Sequence, residues 1–155
     1  MNLTIAEIIP ITLYEIQRVE RITKLKLSDS FKNFILKNNG GIPTIDGETC
    51  LFNIKVDDTW TTSTFLENFT SMNEVIEQWE FIGYLAQFAE HFELDENYVE
   101  TNELFPVANF SNGVVYIAVG GNHVGKIYTA DNGDFGIIYH SPTLDDFLMS
   151  LYSEK

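Results

Sequence analysis

The segment AVGGNHVGKIYTADNG, which starts at Ala118, comes nearest in this chain to a chemical motif: Gly120, four residues, Gly125 and Lys126. A glycine loop of that spacing holds nucleotide phosphates only when three parts coincide. The lysine must meet the β and γ phosphates, a following Ser or Thr must supply a hydroxyl for magnesium, and a helix must aim its first amides at the anion. Ile127 follows Lys126, and IYTA favours a strand, so two of the three parts are missing. No parallel crossover surrounds the match. The glycines read instead as a hairpin turn, with Gly120, Gly121 and Asn122 free to take positive φ and Gly125 marking a bulge or the turn's end.

Other candidates for chemistry are equally thin. His91, His123 and His140 are far apart in the chain and never adopt a metal-binding spacing such as HExxH. They read as a residue at a helix end, a turn residue and a residue on the edge of the last strand. One of them, with Ser141 and Asp145, could form a hydrolytic constellation on paper. Ser141, however, is expected to cap a helix, and no GxSxG elbow exists. Asp131, Asn132, Gly133 and Asp134 lack the twelve-position ligand pattern and closing glutamate of a calcium loop. Cys50 is the single cysteine, which excludes an internal disulfide and a thiolate cluster and reads as a buried small hydrophobe. No catalytic residue, cofactor site or metal site is therefore nominated, and an enzyme is not expected.

The elements that would position any site follow from periodicity. Thr12 and Glu15 have capping-box spacing, and Leu13, Ile16, Val19 and Ile22 recur every three residues as one expected apolar stripe. Ser28 should cap a second helix that buries Phe31, Phe34 and Ile35 and is closed by Asn39 and Gly40, with Gly41 and Pro43 prolonging the turn. TCLFNIKV, residues 49–56, reads as a strand followed by an acidic, threonine-rich turn. From Phe65 the positions Phe69, Met72, Val75, Ile76 and Trp79 return to helical spacing, with Ser71 and Glu74 as another capping box. Trp79 is expected in the core, and the helix either continues or breaks near Gly83. The last third changes period: LFPVANF, VVYIAV, KIYTA and FGIIYH read as strands separated by turns, and Ser141-Pro142 as the start of a terminal helix with Leu144, Phe147, Leu148 and Leu151 inside. These elements predict an α+β fold: a single domain over residues 1–155, mostly an antiparallel sheet with helices packed on one face.

Charge narrows the partners. Nine Lys and Arg against 23 Asp and Glu give a net charge of −14. A phosphate backbone or an anionic membrane would be repelled, so no nucleic acid and no membrane partner is expected. No leader or bilayer-length apolar run is evident, and a soluble cytoplasmic protein is the plain expectation. From Val56 to Gly125 there is no Lys or Arg, while twelve Asp or Glu occur, six of them between Glu90 and Glu103. A macromolecular partner of that surface should be basic. The expected partner-binding residues are Asp57, Asp58 and Trp60, with Glu93, Asp95 and Glu96 from the second acidic run. They combine dense charge with one aromatic able to fill a pocket.

The order of these segments resembles the SUKH superfamily, which includes bacterial toxin-immunity proteins and yeast regulators of cell-wall assembly. The resemblance begins in VERITKLKLSDSFKNFILKNNGG, where Glu20, Leu27, Phe31, Phe34 and residues 36–41 follow the family's glutamate, helix start, aromatic and closing Asn-Gly-Gly. It resumes in LFPVANFSNGVVYIAV, continues through VGKIYTADNG and ends in HSPTLDDFLMSL; residues 59–102 carry little of it. Ser28 stands where the family usually has proline, Val114 where an aspartate is common, and TADN replaces an aromatic, acidic and histidine cluster. These departures weaken a shared polar ligand site and leave the apolar pattern intact. The resemblance implies a non-catalytic binder: an immunity protein that neutralises a cognate protein toxin by stoichiometric contact or, alternatively, a regulatory or scaffold module.

Overall fold

The computed structural model describes residues 2–55, 61–82, 96–131 and 136–154, apart from the side chains of residues 78 and 80–82. Within them, a small sheet joins β1 (Leu3–Ala6), β2 (Ile42–Ile45) and β3 (Glu48–Thr49) in that order. A larger sheet runs in sequence order through β4 (Leu51–Lys55), β5 (Thr61–Phe69), β6 (Leu104–Phe110), β7 (Gly113–Ala118), β8 (Ile127–Asp131) and β9 (Ile137–Ser141). Every neighbouring pair in both sheets is antiparallel. Helices α1 (Leu13–Thr23), α2 (Asp29–Asn38), α3 (Met72–Ile82) and α4 (Leu144–Met149) complete the α+β architecture.

Local signals place the helix starts. Thr12 Oγ1 accepts from the Glu15 amide while the Glu15 carboxylate accepts from the Thr12 amide, and Ser28 caps α2 through the Phe31 amide. Ser71 and Glu74 exchange the same reciprocal bonds at α3. The α1 stripe differs from expectation: Ile16, Val19 and Thr23 are buried, whereas Leu13 and Ile22 are 48% and 40% exposed. A three-residue step rotates about 60° short of a full turn, so residues nine apart lie on opposite sides of the helix. Thr23 falls between Ile16 and Val19 on the helical wheel and takes the place assigned to Ile22. In α2, Phe31 and Ile35 are buried and Phe34 packs on the core at its margin. Gly40 leaves the helix with φ of +70°.

Three segments depart from the sequence expectation. Residues 61–69 form a strand and not a turn leading into a helix, because TTSTFLENF alternates: Thr64 and Leu66 point inward, while Thr61, Ser63, Phe65 and Glu67 point out. A register shift between Leu66 and Asn68 reverses the parity, so Phe69 is buried although Phe65 is exposed; their four-residue spacing only imitates a helix. Pro43 lies inside β2, paired opposite Ile5 of an N-terminal strand that the sequence did not announce. The last helix is capped by Thr143, whose hydroxyl accepts from the Asp146 amide, since Ser141 still belongs to β9.

One face of the large sheet carries the main core. Phe52, Leu66, Phe69, Phe105, Val107, Phe110, Val115 and Ile127 pack there with Ile16, Phe31, Val75 and Phe147 from the four helices. The alternate positions Tyr116, Ala118, Tyr128 and Ala130 form a second cluster with Val99 and Leu104. β7 and β8 are thus buried on both faces, which explains their nearly unbroken apolar sequences. Trp79 packs against both clusters, in the core as expected.

Candidate partner-binding surface

The hairpin of β4 and β5 leaves alternate residues of the large sheet open to solvent. Its register pairs Leu51 with Phe65, Asn53 with Ser63 and Lys55 with Thr61, so these residues share one face. Asn53, Lys55, Thr61, Ser63, Phe65 and Glu67 are exposed on it, and Phe65 keeps 53% of its surface accessible. Beside Phe65, a cavity of about 180 Å³ is lined by Glu48, Thr49, Leu51, Phe65 and Glu154. The C-terminal chain is fastened at its wall: the Leu51 amide donates to the Tyr152 carbonyl at 2.8 Å, and the Tyr152 amide returns a bond to Leu51 at 2.9 Å. An aromatic ring that lines a cavity together with two glutamates is therefore held on a paired strand.

Asp57, Asp58 and Trp60, which fall between these two strands in the sequence, lie outside the described residues, as do Glu93 and Asp95. Glu96 is described and sits exposed in a turn. Burial first, then the Asp146 and Glu96 carboxylates, hold the Tyr139 hydroxyl above its ordinary pKa, which puts Glu96 within electrostatic reach of β9. Lys126 donates to Asn97 Oδ1 at 2.8 Å and lies 5.7 Å from the centre of the Tyr139 ring.

The sheet curls until its two edge strands touch. His140 on β9 donates from Nε2 to the Asn53 carbonyl on β4 at 2.8 Å, and its Nδ1 is paired with Ser141 Oγ. Phe52 and Phe147 meet the imidazole edge-on at 5.7 and 5.4 Å. Burial lowers the histidine's pKa, the Asn53 bond offsetting part of that effect, and because the Asn53 carbonyl can only accept, Nε2 carries a proton. A nucleophilic serine needs an open approach and a base steadied by a carboxylate. Ser141 is 4% exposed, the second imidazole nitrogen is held by a backbone carbonyl, and Asp145 points to solvent from the first turn of α4. His140 and Ser141 close the sheet; they do not form a hydrolytic site.

The glycine loop is likewise occupied by structure. Gly120 is extended with φ of −147°, Gly121 and Gly125 have φ of +73° and +92°, and a short 3₁₀ turn at residues 121–123 leads into β8. A Cβ on Gly121 would stand 2.6 Å from both Glu103 carboxylate oxygens. An anionic side chain lies over the loop where a phosphate would have to bind. His123 is half-buried in this turn, and His91 lies outside the described residues. Cys50 is buried and its thiol is pushed up to about 11 by desolvation. Asp131 ends β8 and is buried, while residues 132–134 lie outside the description. Among the described residues, no group of three or more His, Cys, Asp or Glu is placed to hold a metal, and no helix is long and apolar enough to cross a membrane.

Sequence reasoning did not find Phe65, Glu48 or Glu154. The period-two pattern of TTSTFLENF was the available signal for Phe65; the approach of Glu154 depends on the C-terminal pairing and had none. The basic residues also escaped notice. Six of the nine Lys and Arg lie in residues 13–38, where only three acidic residues occur, so the α1–α2 hairpin carries +3 and the remainder −17.

The family model described as SMI1 / KNR4 family (SUKH-1) matches residues 10–150. Among curated proteins, none matches the chain.

Proposed function

The chain belongs to the SMI1 / KNR4 family (SUKH-1), whose members are non-catalytic scaffold and immunity proteins, and from that premise we propose that it is a cytoplasmic immunity protein. It binds a cognate toxin domain of basic charge, such as a nuclease, one to one, and neutralises it by covering its working surface. The observation that carries this reading is the open outer face of β4–β5, with half-exposed Phe65 lining a cavity together with Glu48 and Glu154 on a molecule of net charge −14. An aromatic anchor inside a charged rim is the usual composition of a tight, steered interface. Asp57, Asp58 and Trp60 lie in the chain between the same two strands, and the Glu96 charge acts on Tyr139 of β9, whose neighbour His140 bonds Asn53 of β4.

The test is surface plasmon resonance against the toxin domain encoded beside this gene, at salt concentrations of about 50 and 200 mM. Association should slow as salt rises, and reversal of Asp57, Asp58, Glu93 and Glu96 should slow it further. Phe65→Ala and Trp60→Ala should each speed dissociation about tenfold with little effect on association. Unaltered kinetics in all these variants, folded by circular dichroism, would reject the surface. A folded parent that neither binds nor protects would move the protein to the regulatory or scaffold reading, with an endogenous partner.

A further inference from the structure

The helical hairpin opposite in charge to the rest of the molecule has a groove of its own. Arg21 and Lys24 at the end of α1, Leu25 and Lys26 in the connection, and Lys32 on α2 line a shallow depression of about 490 Å³ together with Glu20. Glu20 is already committed: its carboxylate accepts from the Leu27 amide at 2.8 Å and pairs with Lys32 at 3.3 Å. Arg21, Lys24 and Lys26 are exposed and form no ion pair among the described residues. Arg21 is steadied by the Tyr14 ring, 5.7 Å from its guanidinium carbon. Three unpaired cations thus surround one half-buried leucine on a protein with carboxylates in large excess elsewhere.

We propose that this groove is a second docking surface, and that it receives a short acidic segment of a partner protein. Charge complementarity selects an anion, and the half-buried Leu25 in its lining suits a peptide side chain flanked by carboxylates. Nucleic acid is disfavoured by reach. A duplex carries about one charge per 1.7 Å and extends past the patch, where it meets the −17 of the remaining surface. A segment of a few residues stays within about one Debye length, some 8 Å at physiological salt, of the three cations. The same polypeptide would then hold a basic partner on its sheet and an acidic segment on its helices, and this second contact does not depend on the toxin reading.

Fluorescence anisotropy of a labelled penta-glutamate peptide with the full chain tests the proposal, beside a labelled twelve-nucleotide single strand as the rival ligand. The peptide should bind saturably below about 1 mM and weaken at least tenfold in Arg21→Gln/Lys24→Gln/Lys26→Gln. Lys37→Gln, at the far end of α2 and outside the groove lining, should leave its affinity unchanged. Circular dichroism checks the folding of each variant, and the single substitution Lys26→Glu, in the connection between helices, should still weaken binding if the triple variant does not fold. Absence of peptide binding by the folded parent, or equal affinity in the folded triple variant, would overturn the docking surface. Tighter binding of the oligonucleotide than of the peptide would overturn the assignment of its occupant.

Discussion

His140 has its two ring nitrogens committed to different tasks, Nε2 to the Asn53 carbonyl across the sheet and Nδ1 to the Ser141 hydroxyl. The neutral ring donates from Nε2 and accepts at Nδ1, and burial lowers the pKa in the folded state, which favours that form. The unfolded chain therefore takes up the proton at higher pH than the folded protein does. The stability that His140 contributes is fully present above the unfolded value of about 6.5 and is lost as pH falls below it, towards the lowered folded value. Urea midpoints measured between about pH 7.5 and 5 should fall more steeply for the parent than for His140→Gln. Parallel pH profiles would show that the imidazole is not held neutral. At this scale the sequence was readable where a residue acts on its near neighbours. Thr12, Ser28 and Ser71 cap helices as their spacing predicts, while the role of Glu20, reaching seven residues on to Leu27, needed the fold.

Elements are joined here by a few buried polar brackets that no periodicity reveals. Asn39, 4% exposed, accepts from the Met72 amide at the start of α3 at 2.8 Å and donates to the Ile9 carbonyl at 3.1 Å. Its own carbonyl accepts from the Ile9 amide at 2.8 Å. One side chain at the end of α2 therefore binds the N-terminal segment to α3. Asn39→Ala would leave a buried donor and acceptor without partners, and it should cost about 2–4 kcal/mol in chemical denaturation. A loss under about 1 kcal/mol would mean that other groups hold this junction. A second bracket, Asn109 Nδ2 to Glu74 at 2.6 Å, ties α3 to β6. Helices and the last four strands were legible because each repeats a period over several residues. β5 was misread because one bulge exchanges inside for outside, and β1 and β2 because four-residue strands are too short to establish an alternation.

The whole molecule carries its charge unevenly, +3 on the α1–α2 hairpin and −17 elsewhere, with Glu20–Lys32 the one ion pair among the described residues. Self-repulsion should then exceed attraction in the folded state. Raising salt from about 10 to 100 mM, which shortens the Debye length from about 30 to 10 Å, should raise the urea midpoint; a fall would show that attractive pairs dominate. Composition and local pattern were sufficient for the acidic character, the α+β class and the improbability of phosphate binding, because net charge and short-range periodicity belong to the chain whatever its fold. Asp57, Asp58, Trp60, Glu93 and Asp95, expected from the sequence to meet a partner, lie outside the described residues. Tertiary structure alone decided that Phe65 shares an open cavity with Glu48 and Glu154, and that His140 closes the sheet against Asn53. It alone decided, too, that Arg21, Lys24 and Lys26 share a groove with Lys32 of α2. Each of these depends on residues brought together from distant or differently oriented segments, and a linear pattern contains no distance between them.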